Sequence, residues 1–73
     1  MRNFEEIYQD LEQKAPEIKQ LDLTGMLSMV MGFMQAASTE TDFEKRKQHL
    51  ANMVAVSLKA FKMEVENGEA NRS

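Results

Sequence analysis

Apolar residues recur at steps of three and four along nearly the whole chain, the spacing of helix faces and not of strands. Phe4, Ile7, Tyr8, Leu11, Ala15 and Ile18 fall on one helical stripe, and Asn3 with Glu6 three residues later forms a capping pair at its start. Pro16 interrupts this stripe. Its ring removes a backbone donor and disfavours helical geometry at Ala15, so the first helix either stops near Lys14 or bends and runs on to about Leu21. The return of the stripe at Ile18 predicts the bend.

The second segment, LTGMLSMVMGFMQAAST from Leu23 to Thr39, contains no charge and holds four of the seven methionines. Asp22 and Thr24 both suit an N-cap. Leu23, Met26, Leu27, Val30, Phe33, Met34 and Ala37 make a broad face, and Met29, Met31 and Ala36 add apolar groups on other sides. A helix apolar nearly all round predicts burial. A membrane span would need about twenty predominantly apolar residues, and this shorter run is diluted by Thr24, Ser28, Gln35, Ser38 and Thr39, so no membrane is expected. Gly25 and Gly32, seven residues apart, share a face with Ser28 and Ala36 close by. Glycine inside a helix costs about 1 kcal/mol against alanine, so this strip predicts close approach of another helix.

The third segment offers Thr41 as N-cap with Glu44 as its capping-box partner, and periodicity then holds from Asp42 to Glu66. Phe43, Leu50, Val54, Leu58, Phe61 and Val65 form one stripe; Met53, Val56, Ala60 and Met63 form a second on a neighbouring side. The first stripe is expected to cover the methionine-rich helix. At 1.5 Å per residue this third helix is roughly 37 Å long against about 25 Å for the second, so one short partner leaves much of its apolar surface bare. Residues 67–73, from Asn67-Gly68 onward, read as a polar tail.

Seventy-three residues form one small domain whose core is marginal without help. There is no cysteine and one histidine, which leaves oligomerisation as the leading supplement to that core. The expected fold is therefore all-α: a helical hairpin with a kinked N-terminal helix, completed as a bundle by homo-oligomerisation. Gly25, Met29, Gly32, Met53, Val56, Ala60 and Met63 are its expected interface between subunits. The opening MRNFEEIYQDLEQK has acids where a signal peptide needs a basic start and an apolar run, so a cytoplasmic location is expected.

Charge is uneven. Residues 1–22 carry six acids against three bases and residues 40–66 five of each, within a net charge of -3. Phosphate-backbone binding normally shows as a stripe of Lys and Arg, and the one basic cluster is Lys45-Arg46-Lys47 with His49. Asp42 lies four residues before Arg46 and Glu44 three before Lys47, which pairs the cluster internally on a helix surface. These four residues are the expected partner contact, if the chain has one there.

Candidate chemistry is sparse. Met26/Met29 and Met31/Met34 have thioether spacing that suits a soft metal, but methionine at helical spacing is ordinary core filler, so no metal or other cofactor is expected. The acids Glu5, Glu6, Asp10 and Glu12 invite comparison with all-helical nucleotide pyrophosphohydrolases. That comparison fails in detail, because Gln9 stands where a third acid should follow Glu5-Glu6, and the third helix offers only Glu64 and Glu66 on different faces. No nucleophile, orienting acid and histidine are spaced for catalysis, and the three glycines form no phosphate loop. The sequence thus predicts a non-catalytic protein-interaction module, an adaptor or inhibitor that binds itself and a further protein. A small nucleic-acid-binding regulator using Lys45, Arg46 and Lys47 across a dimer is the second reading, and a pyrophosphohydrolase-like protein a distant third.

Overall fold

A computed structural model describes residues 2–72, with side chains through residue 69. Three helices, α1 (Phe4–Lys14), α2 (Leu23–Thr39) and α3 (Phe43–Arg72), and a 3-10 turn at Pro16–Gln20 account for its regular structure. The Asn3 carboxamide oxygen accepts from Glu6 N–H at 2.8 Å, and its amide nitrogen donates to Glu6 Oε1 at 3.4 Å, closing the start of α1 as its spacing predicts. Glu5 and Glu6 in the first turn and Lys14 in the last suit the helix dipole.

The expected kink is instead a stop. Ala15 adopts φ -140° and ψ 81°, well outside helical geometry, as the residue before proline is driven to do. Its N–H still reaches the Leu11 carbonyl at 2.9 Å, so α1 ends satisfied. Pro16 then opens the 3-10 turn, where its missing donor costs nothing, and this turn carries Ile18 back into the core. The Ile18 periodicity survives although the helix does not.

Asp22, not Thr24, caps α2, with its carboxylate accepting from Gly25 N–H at 2.9 Å. At the other end the Ser38 and Thr39 hydroxyls donate back to the Gln35 carbonyl at 2.9 and 3.1 Å, the local bond that such side chains make to the preceding turn. A three-residue connection reverses the chain, and Asp42 replaces Thr41 as the cap of α3: its Oδ2 accepts from Lys45 N–H at 3.0 Å. The carboxylate is the better acceptor, and Glu40 holds the Asp42 N–H at 3.3 Å in return. Helix α3 also runs past Glu66 and through Gly68 to Arg72, so the expected polar tail is helical as far as it is described. No proline intervenes there, and a single glycine lowers helix stability without ending the helix.

The core gathers Ile7 and Tyr8 of α1, Ile18 of the turn, Met26 of α2 and Ala55, Val56 and Ala60 of α3. Met29, Val30 and Phe33 pack around it, and Ala37 is buried nearer the hairpin end. Both α1 and α2 rest on α3, which forms the spine of a body 48 × 22 × 20 Å in extent. Alanines at 51, 55 and 60 keep that spine thin enough for two helices to approach it. Among the described residues there is no strand, and no helix is long and apolar enough to cross a membrane.

Candidate interaction surface

Helix α3 is apolar on two opposite sides. Its inner side presents Ala55, Val56 and Ala60, which are almost completely covered, with Val56 at 0% exposure. Advancing 100° per residue, the stripe of Phe43, Leu50, Val54, Leu58, Phe61 and Val65 lies about half a turn away. Phe43 and Phe61 are 61% and 65% exposed, Leu50, Leu58 and Val65 are also exposed, and Val54 is half-buried. The sides are therefore exchanged relative to expectation: the stripe expected to cover α2 faces outward, and the second stripe covers it. The methionine-rich helix is not buried all round either. Met26 is covered, whereas Leu23, Leu27, Met31 and Met34 of α2 are exposed.

This arrangement redistributes the residues expected between subunits. Val56 and Ala60 belong to the core of the single chain and leave no surface for a second one in this conformation. Met29 and Met63 pack at the edge of that core, and Met53 is half-buried. Gly25 is half-buried beneath its own neighbour: a Cβ there would lie 2.8 Å from Leu21 Cδ2. Gly32 faces open space, with nothing within 4 Å of where its Cβ would be. The close approach expected along the glycine strip is absent within the chain.

The basic cluster is exposed and engaged locally. Lys47 Nζ pairs with Glu44 at 3.2 Å, as their spacing predicts. Arg46 and Lys47 also lie over the Phe43 ring, at 6.0 and 5.5 Å from its centroid. The sequence signal for this was Phe43 three and four residues before two cations, the reach of side chains on neighbouring turns. His49 meets Glu40, Nε2 to Oε1 3.5 Å, with both side chains mostly covered. The Asp42 N–H, then His49 and Lys45, hold the Glu40 carboxyl below its ordinary pKa.

Two shallow hollows flank α1 where it lies along α3. One, of about 330 Å³, has Phe4, Tyr8, Leu58 and Phe61 in its walls and Glu12 and Lys59 at its rim. Lys59 Nζ stands 5.8 Å from the Tyr8 ring centroid, and burial, then the Glu12 charge, raises the Tyr8 phenol above its usual pKa. The other, about 380 Å³, is more polar and includes Asp10, Lys14, Glu44 and Lys47. Arg2 forms ion pairs with Asp10 and Glu6 beside it. Nothing in the spacing of single residues reveals these hollows, because they arise from how α1 is laid on α3. Among the described residues, no three His, Asp or Glu side chains converge as metal ligands would. No family model, no curated protein and no solved structure matches this chain.

Proposed function

We propose that this chain is a non-catalytic protein–protein interaction module, of the adaptor or inhibitor type, that works as a helical homo-oligomer. The observation that carries the reading is the bare outer stripe of α3. Soluble chains rarely leave a large apolar patch uncovered, and such patches mark interaction sites. Full burial of a large apolar side chain contributes about 1.5–3 kcal/mol, so covering five half-exposed ones yields roughly 4–8 kcal/mol on each chain. Two chains then gain roughly twice that, enough to offset an association cost of about 4–15 kcal/mol.

The nucleic-acid reading has less support. Lys47 is paired with Glu44, Arg46 and Lys47 rest on Phe43, and His49 is turned to Glu40, so no open basic stripe is presented. Sedimentation equilibrium at two salt concentrations tests the proposal. Dimers or larger species at micromolar concentration, little weakened by salt, are expected. A monomer throughout would defeat it, and so would binding to nucleic acid that falls steeply with salt and vanishes when Lys45, Arg46 and Lys47 become alanine.

A further inference from the structure

We propose that the outer face of α3 is covered by a second copy of this chain, laid antiparallel with Val54 on the two-fold axis. This rests on the reading of that face as an interaction surface and specifies its occupant and register. The decisive feature is a symmetry in the stripe. Leu50 and Leu58 stand four residues to either side of Val54, Lys47 and Phe61 seven, and Phe43 and Val65 eleven. These intervals repeat every eleven residues, about 3.67 per turn, so the stripe drifts by only about 20° in that distance and a pair held along it would wind gently with a right-handed sense. Reversing the helix about Val54 superposes the stripe on itself. Leu50 then meets Leu58 of the second copy, Phe43 meets its Val65, and the Lys47 stem lies on its Phe61. An isologous two-fold contact requires this self-complementarity.

The flanks agree. Arg46 and Glu64 are eighteen residues apart, about five whole turns, and so lie on one border of the stripe. Glu44 and Lys62, also eighteen apart, lie on the other. In the antiparallel register, Arg46 comes within two residues, about 3 Å along the axis, of Glu64 of the second copy. Glu44 comes equally close to its Lys62, and the two-fold axis repeats both pairs. A parallel pair would instead set Lys47 against Lys47 within the stripe and align the two basic helix starts. The flanks fit a second copy in either sense, since a parallel pair would also oppose Arg46 to Glu44 and Glu64 to Lys62, and it is Lys47 against Lys47 that disfavours the parallel one.

The chain has no cysteine, which makes the register directly readable by oxidation of single-cysteine variants of the full chain. Helix content by circular dichroism and sedimentation accompany each variant. V54C is expected to close into a covalent dimer, whereas L50C and L58C alone do not, because each would sit about 12 Å along the axis from its own copy. A mixture of L50C and L58C is expected to link. Self-linking of L50C and of L58C would show a parallel pair and overturn the proposal. A dimer by sedimentation in which V54C does not link would overturn the register while leaving self-association intact. A monomer with no linkage defeats the underlying reading as well. The charge register has its own test. E64R is expected to weaken association by roughly three- to tenfold at low salt, and the R46E/E64R double variant to recover it. In a parallel pair that exchange would confront Glu44 and Lys62 of the second copy with like charge, so further loss in the double variant overturns the proposal.

Discussion

Val56 and Leu58 stand two residues apart in α3 and face opposite ways, Val56 with no exposed surface and Leu58 with 45% of its own. Truncation should separate them. Val56→Ala removes two methyl groups from a sealed site and is expected to cost about 2 kcal/mol, by lost transfer free energy and the cavity left behind. Leu58→Ala should cost the fold less than about 1 kcal/mol and act instead on self-association. Urea unfolding of dilute samples measures the first effect and sedimentation the second. Equal losses of folding stability would mean that α3 is seated the other way round.

Gly32 and Gly25 should respond differently to a methyl group. Gly32→Ala adds a Cβ into open space in mid-helix and is expected to stabilise α2 by about 1 kcal/mol, which in a chain of this size raises the melting temperature by about 4–8 °C. At Gly25 the new methyl would press on Leu21 Cδ2 at 2.8 Å and on its Cβ at 3.3 Å, so the propensity gain is consumed in moving Leu21. Thermal melts of both variants decide the matter. A Gly32→Ala chain that melts lower would show a helix passing close to that side.

Glu40 ties acid stability to the turn between α2 and α3. Its folded pKa lies below the ordinary 4.5, so as pH falls through this range the folded chain binds fewer protons than the unfolded one. The stabilisation is complete above pH 4.5 and is lost as pH drops through the lowered folded value. Glu40→Gln removes this contribution. The gap in melting temperature between the two chains should therefore shrink between neutral pH and about pH 3, and a constant gap would contradict the assignment.

Tyr8 gives the opposite limb. Its folded pKa lies above 10.0, so stability from the neutral phenol is complete below pH 10.0 and disappears as pH rises through the raised folded value. Because it is the only tyrosine, ultraviolet titration reports it without ambiguity. A folded-state midpoint at or below that of the unfolded chain would show that the phenol is neither covered nor near the Glu12 charge. Tyr8→Phe should flatten the alkaline decline in stability.

Local signals carried most of the element boundaries. The uncharged run Leu23–Thr39 coincides with α2, and Asn3 and Asp22 cap as their side chains suggest, because capping is decided within four residues. The side of α3 that turns inward was not legible in this way. Both sides are apolar at helical spacing, and a pattern of large residues favours Phe43, Leu50, Leu58 and Phe61. Packing chose the opposite side because a spine carrying two helices needs small residues where they rest, and Ala51, Ala55 and Ala60 supply them. Steric room between helices is a property of three segments together. The same holds for Pro16, where the kink and the stop share one sequence signature and differ only in whether Ile18 can reach the core by a tighter turn.

The length of α3 sets a gradient of lifetimes along one unbroken helix. Its thirty residues span about 45 Å, yet covered positions are confined to its middle, and every described side chain from Glu64 to Glu69 is exposed. Amide protons around Val56, shielded by α1 and α2, can exchange with solvent only when the whole chain opens. Those between Glu64 and Glu69, with exposed side chains and no helix packed against them, exchange through local opening that costs far less than unfolding the whole chain. Deuterium uptake should therefore climb from the Val56 turn towards Glu69, so that a single helix reports both the global stability of the chain and the ease with which its uncovered turns open.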